Sequence, residues 1–346
     1  MGAAMERSDW FKLDANEGVC ALDAEQLARV LSPEVARRYP RADILEADLA
    51  GYFGVDPRQV IATAGADDAI ERAFRALAGA GASVLTTTPG FVEFLDAAKR
   101  AEAAFLSVRK RPGAEFPIEE FCGSIAARKP ALAIVATPDN PAGTTLSLDD
   151  FTHIAEACRA AGSVFLLDVT YLDFADDRSI FARALATPGV LLTGSFSKSR
   201  GLAGFRAGWA MTSLENAGLI DKLREAGPPY SLSSPAIEAA RMALAECEAS
   251  YRAFVKRIGE ERVILEKALA ALGARTWPSQ ANFVSATVPD AAAFVAAMRK
   301  EGILIRYWPG NPEAEGLVRI TCPGDEAGFR RLRDALSRME ALSWKE

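Results

Sequence analysis

The sequence predicts an α/β chain in two parts: a large three-layer domain around a mostly parallel sheet, and a smaller α+β domain. Three observations predict this. Short apolar runs alternate with amphipathic helical stretches through the first two thirds of the chain. The alternation stops at Gly227-Pro228-Pro229. Beyond that point a long helical stretch leads into a second, differently ordered set of strands and helices. Buried strands, polar loops and helices in alternation are the mark of a parallel sheet covered on both faces.

Taken in order, SPEVARRYP to DILEADLAGYFG reads as one helix ending at Gly54. QVIAT is a strand, GADDAIERAFRALAG a helix, ASVLTTTP a strand, FVEFLDAAKRA a helix and AAFLSV a strand. FPIEEFCGSIAAR is a helix, ALAIVATP a strand, LDDFTHIAEACRAAG a helix, and VFLLD and VLLTGSF are strands. Helix then runs from about Pro235 to Leu272. ANFVSATV, ILIRYW and GLVRITC follow as strands, with DAAAFVAAMRKEG and DEAGFRRLRDALSRMEAL as helices. The first 30 or so residues lack the rhythm and are expected to pack on the second domain. The expected division is 34–228 for the large domain, and 1–33 with 229–346 for the small one.

At 346 residues the chain suits two domains. Forty basic against forty-six acidic side chains give a net charge of −6, which argues against a nucleic-acid footprint. No apolar run reaches the roughly 18 to 20 residues that span a bilayer. The opening MGAAMERSDWF has no apolar core of a signal peptide, and Glu6 breaks the myristoylation pattern. The five cysteines never take CxxC spacing, so reduced core thiols in a cytoplasmic protein are expected. His153 is the single histidine and is expected to be exposed on a helix. A multi-histidine metal site is impossible, no metal is expected, and acid–base chemistry would fall to Lys, Asp, Glu or Tyr.

Ligands of open parallel sheets collect beyond the carboxyl ends of the strands, so the residues there carry the functional argument. After QVIAT come Ala66 and Asp67, opening a helix whose free N–H groups suit a phosphate; a plain tight turn is the alternative. After VLTTT comes Phe91, either a stacking ring or core. After AIVAT two prolines fix a turn and aim Asn140. After VFLL come Asp168 and Tyr171; Asp168 is costly to bury without a partner, or else caps the next segment. After VLLTG come Ser195, Ser197 and Lys198, then Arg206. An isolated lysine is usually a solvated charge. Here an amine, a carboxylate, an amide, a ring and a cradle of Gly, Ser and Arg meet on one rim. Pyridoxal phosphate asks for that combination: an amine for its aldehyde, a carboxylate for its pyridine nitrogen, a ring for its face and donors for its phosphate.

The ordered set LDANEG, Arg38-Tyr39-Pro40, ATAGADDAIE, TTPGF, ATPDNPAGT, LLDVTYLDF, SFSKSRGLAGFRAG, PPYSLSSPA, ANFV, GILIR and GLVRIT runs over nearly the whole chain. It resembles the fold-type I pyridoxal-phosphate aminotransferases (class I/II, aspartate-aminotransferase-like), and among them the histidinol-phosphate aminotransferase group. The resemblance implies that Lys198 bonds the cofactor and moves the substrate proton. It pairs Asp168 with the pyridine nitrogen, brings Asn140 and Tyr171 to the ring oxygen and stacks Phe91 on the ring. It gives the phosphate to the backbone at Ala66 and Asp67 and to Ser195, Ser197 and Arg206. Tyr39 would serve the neighbouring subunit's phosphate, which implies a homodimer. Arg319 would receive the substrate carboxylate and Arg306 a substrate phosphate, with Asn16 beside them.

Three departures bear on the substrate. Val169-Thr170 stands where the family usually has Glu-Ala, Gly18-Val19 where it commonly has Asn-Pro, and Gly90 to Phe94 form an atypical loop. The expected activity is transfer of an amino group from an amino acid such as glutamate to a keto acid or phosphorylated ketone. The alternative is a decarboxylase or lyase acting on a phosphorylated amino acid with the same cofactor. A non-catalytic ligand-binding protein finds little support, since no helix–turn–helix, basic arm, GxxxxGK[ST] or well-placed GxGxxG is attached.

Overall fold

The computed structural model describes residues 10–339. The opening through Asp9, and the end of the expected last helix from Glu340 on, lie outside the described residues. The strands are β1 (Phe11–Leu13), β2 (Val60–Thr63), β3 (Ser83–Thr88), β4 (Ala104–Arg109), β5 (Leu132–Ala136), β6 (Val164–Asp168), β7 (Val190–Ser195), β8 (Gly208–Thr212), β9 (Arg275–Thr276), β10 (Phe283–Thr287), β11 (Ile303–Tyr307) and β12 (Leu317–Thr321). They form two sheets.

The large sheet has the order β2-β8-β7-β6-β5-β3-β4. Only β8 runs against its neighbours, β2 and β7; the other pairings are parallel. The carboxyl ends of β2, β3, β5, β6 and β7 therefore open on one rim. Leu132, Ile134, Phe165, Leu166, Leu167, Leu191 and Leu192 are sealed from solvent, as strands covered on both faces require. One face packs a cluster around Phe121, Phe151 and Phe165; the other packs a cluster around Ile70, Phe74 and Phe94. The small sheet has the order β1-β11-β12-β10-β9 and its own core around Phe283, Phe294 and Leu332.

Three expectations differ from the structure. The helix expected across SPEVARRYP-DILEADLAGYFG is two helices, Pro33–Ala36 and Ala42–Phe53, with Arg38-Tyr39-Pro40 between them. Pro40 disfavours helix at Tyr39, so the first helix cannot run on into the second. The helix expected over Pro235 to Leu272 is also two, Ser234–Ala245 and Glu248–Ala271. β1, β8 and β9 were not expected. β1 and β9 are too short to show periodicity, and β8 follows the glycine-rich lysine loop with no turn signal of its own.

The packing also departs from the expected domain limits. Leu22 and Val30, and the stretch from Leu232 to Cys247, join the core of the large sheet. His153 is exposed on its helix. Cys158, Cys247 and Cys322 are buried, Cys122 is partly so, and Cys20 is exposed, so not every thiol is a core residue. Among the described residues no helix is long and apolar enough to cross a membrane, and no cluster of possible metal ligands occurs.

Candidate active site

A cavity of about 560 Å³ lies over the rim, roofed by the small sheet. It is lined by Lys198, Asp168, Tyr171, Asn140, Phe91, Ala66, Asp67, Ser195, Ser197, Arg206, Arg306, Arg319 and Asn16. Of the residues singled out in the sequence, Tyr39 alone is elsewhere. It is 81% exposed, its ring 5.2 Å from that of Tyr230.

Asp168 ends β6 and is buried. Its Oδ1 accepts from the Thr170 N–H at 3.0 Å and from the Thr170 hydroxyl at 2.6 Å. Among the described residues no cation forms a salt bridge with it. Burial pushes its carboxyl up to about 6, against the pull of the two Thr170 bonds. A buried acid held by hydroxyl and N–H groups, with no cation against it among the described residues, is suited to a ligand that brings a positive N–H. Beyond β7, the Lys198 amine donates to the Ala15 carbonyl at 3.0 Å and lies 5.9 Å from the centre of the Tyr171 ring. Among the described residues its one hydrogen bond is to this backbone oxygen of the N-terminal segment, so the amine can be released without breaking a salt bridge.

Gly65 starts the helix Ala66–Leu77 at φ 85°, and no side chain caps that helix. A Cβ on Gly65 would come within 2.9 Å of the Arg206 guanidinium, so glycine serves both the backbone angle and the approach. Arg206 itself sits at φ 57°. It reaches Asp67 at 2.5 Å and Ser197 Oγ at 3.5 Å. That ion pair is half-exposed and contributes at most about 1 kcal/mol, so an anion can displace it at little cost. Uncapped N–H groups, two serines and a guanidinium together match a phosphate.

On the opposite wall, Arg319 of β12 is buried and donates to Asn140 Oδ1 and to the Asp14 carbonyl, each at 2.6 Å. Its Nε has no hydrogen-bond partner among the described residues. Burial pulls the guanidinium down to about 10, still cationic at neutral pH. Arg306 of β11 is paired in register with Arg319. It is exposed, its guanidinium 5.8 Å from the Trp308 ring. Two adjacent cations with one polar atom unsatisfied are suited to an anionic substrate. Asn16 adopts φ 55°, a region asparagine tolerates. Its side chain donates to Tyr171 Oη at 2.9 Å and accepts from Thr321 Oγ1 at 3.1 Å.

Sequence reasoning gave Asp14, Thr321 and Trp308 no role here, and marked Thr170 only as part of a departure from the family pattern. Trp308 stands two residues after Arg306, a spacing that keeps one face in extended chain and was the available signal. Thr321 and Asp14 carry no signal, because the fold alone brings them here. The glycine departure has a local cause. A Cβ on Gly18 would lie 2.3 Å from the Lys198 carbonyl oxygen.

The sequence pattern of the family "Aminotransferase class I and II" matches residues 11–336. The chain is 33% identical over 320 residues to a histidinol-phosphate aminotransferase of Chromobacterium violaceum, covering 90% of this chain and 87% of that one. It is 35% identical over 329 residues to one of Methylibium petroleiphilum, covering 92% and 86%. Its fold is similar to that of the Sinorhizobium meliloti histidinol-phosphate aminotransferase solved with pyridoxal 5′-phosphate, with a TM-score of 0.83 and 23% identity over 95% of this chain and 90% of that one. The lysine, carboxylate and anion cradle on one rim, in a chain matched by this family almost from end to end, place it among the class I and II aminotransferases, as a pyridoxal-phosphate-dependent transaminase.

Proposed function

We propose that this transaminase moves an amino group from an α-amino acid such as glutamate to a phosphorylated ketone or keto acid, in the manner of histidinol-phosphate aminotransferase. The observation that carries the reading is the cavity's charge layout. Lys198 and Asp168 stand at neighbouring strand exits, an anion cradle lies at one end, and Arg319 and Arg306 lie on the small sheet. The cradle takes the cofactor phosphate and the two arginines take the two anionic groups of a substrate.

When bound, pyridoxal phosphate supplies an aldehyde for the amine exchange and a ring that accepts the electron pair freed at the substrate carbon. The protein's residues do the rest. Asp168 holds the proton on the pyridine nitrogen, and Thr170 keeps the carboxylate aimed. The Tyr171 hydroxyl, oriented by Asn16, and the Asn140 amide, oriented by Arg319, hold the ring oxygen. Phe91, which lines the cavity, would supply the flat surface against the ring. Lys198, once released from Ala15, would be the group that takes up the proton from the substrate carbon. Arg319 fixes the carboxylate, and Arg306 selects the phosphate with Trp308 beside it.

The exposed Tyr39 supports a homodimer in which it serves the neighbouring subunit's phosphate. A division into two domains, with the small one formed by β1 and the chain after about residue 247, fits the separate core of the small sheet. A cytoplasmic setting fits the absence of a membrane-crossing helix among the described residues. Spectroscopy of the half-reaction tests the function. Glutamate should convert the cofactor to its amine form and yield 2-oxoglutarate, and a phosphorylated ketone should reverse it. Carbon dioxide release without amino transfer would overturn the assignment.

A further inference from the structure

Behind the rim lies a second cavity, of about 290 Å³, on the other side of the β6 and β7 exits. Its floor is aromatic. Phe53 stacks on Phe181 at 5.1 Å and meets Trp209 at 5.2 Å. The indole of Trp209 lies against Gly194, where a Cβ would come within 2.2 Å of it. Val169, one of the departures from the family pattern, adds an apolar wall where a carboxylate commonly stands.

The polar groups are few and of both signs. Asp173 is half-buried and accepts hydrogen bonds from the hydroxyls of Ser199 and Tyr251, with no cation paired to it among the described residues. Arg178 is exposed and makes only long bonds, 3.4 Å to the Ala175 carbonyl and 3.3 Å to Tyr251 Oη; its Nη2 has none among the described residues. The other arginine, Arg200, is already engaged. It is buried, stacks on Tyr251 at 3.7 Å, and bonds the Ala243 carbonyl, Tyr52 and Glu248. An apolar pocket with one available cation and one available anion at its edge matches a zwitterion with an apolar tail.

Thr170 and Ser195 line both cavities. Thr170 is also the residue that holds Asp168 Oδ1 by two bonds. A molecule seated behind the rim therefore touches the group that aims the carboxylate. We propose that the second cavity is a regulatory site for a small α-amino acid with an apolar side chain, carboxylate on Arg178 and ammonium on Asp173, read out at Asp168 through Thr170. The binding stands on the cavity itself; the readout rests on the assignment of Asp168 to the cofactor nitrogen made above.

Titration calorimetry of the holoenzyme with L-leucine and L-phenylalanine tests it, with the cofactor absorption band recorded in parallel. Saturable binding should survive Arg319→Ala, which removes the substrate carboxylate contact. It should weaken about tenfold or more in Arg178→Ala and vanish in Ala182→Trp, which plugs the exposed edge. 4-Methylpentanoate, which lacks the amino group, should bind more weakly than leucine. Equal thermal melting of the two site variants and the wild type separates lost binding from lost folding. Binding that disappears with Arg319 and persists without Arg178, or no binding at all by the wild type, would overturn the site. Binding that leaves the absorption band unmoved would overturn the readout. If the enzyme proved not to transfer amino groups, the calorimetric result would still decide the site.

Discussion

Two neighbouring strands of the large sheet end in buried acids, and the sheet treats them oppositely. Just past β5, Asp139 meets the Lys110 amine at 2.8 Å, and the same amine reaches Thr144 Oγ1 at 3.0 Å. Both partners of that pair are buried. At the end of β6, Asp168 is as deeply placed, yet among the described residues it is held by uncharged groups alone, the N–H and hydroxyl of Thr170 with a weaker pull from the Thr193 hydroxyl. The first exit is closed within the protein and pins the turn that carries Asn140. The second meets no cation among the described residues, which suits it to a ligand bearing a positive N–H. A buried charge with a partner is architecture; one kept in place without a partner is an instruction for binding.

The widest separation between open and closed exits comes from Lys198→Ala. Turnover should fall by about 10⁴-fold or more while circular dichroism stays that of the wild type. An active variant would remove Lys198 from the open set.

Next in size is Lys110→Ala, which strands Asp139. Unfolding in urea should show a loss of about 3–5 kcal/mol. Lys110→Met combined with Asp139→Leu should recover most of it, since neither charge then remains. If the single variant were as stable as the wild type, the β5 exit would not be a closed pair.

The third test reverses the sign. Asp168 ionises near 6 in the fold and near 3.8 when exposed, so ionisation opposes folding fully above about pH 6, and the penalty fades as pH falls toward 3.8. Apo Asp168→Asn should therefore be more stable than apo wild type by about 3 kcal/mol near pH 7.5, with the gap narrowing toward pH 5. Adding the cofactor should stabilise the wild type more than the variant. A gap that widens on acidification would contradict the account of this exit.

The smallest effect concerns substrate. Arg306→Ala should raise KM for a phosphorylated acceptor by about 10- to 100-fold and leave the glutamate half-reaction near its wild-type rate. Equal loss in both half-reactions would place Arg306 with Arg319 and not with the acceptor phosphate.

The parallel strands were legible because burial on both faces writes continuous apolar runs such as VFLL and AIVA. The rim was legible for the same reason, since each polar residue directly after such a run marks a strand exit. β8 was not, although it is buried throughout, because nothing punctuates GWAMT on the side of the lysine loop. The supporting contacts were hidden for a different reason. Thr321 orients Asn16 across 305 positions of chain, and Lys110 reaches Asp139 across 29. Such partners carry no local pattern. They become visible only when two sheets are laid over one another.

The N-terminal segment ties the reactive amine to the far sheet. β1 is hydrogen-bonded to β11, Ala15 two residues later accepts from Lys198, and Gly18 leaves no room for a side chain against the lysine's own carbonyl. The strand that carries Arg306 and the loop that carries Lys198 are thus connected by a tether only a few residues long. A displacement of one sheet against the other would therefore pull on the bond between Lys198 and Ala15, coupling the position of Arg306 to that of the amine.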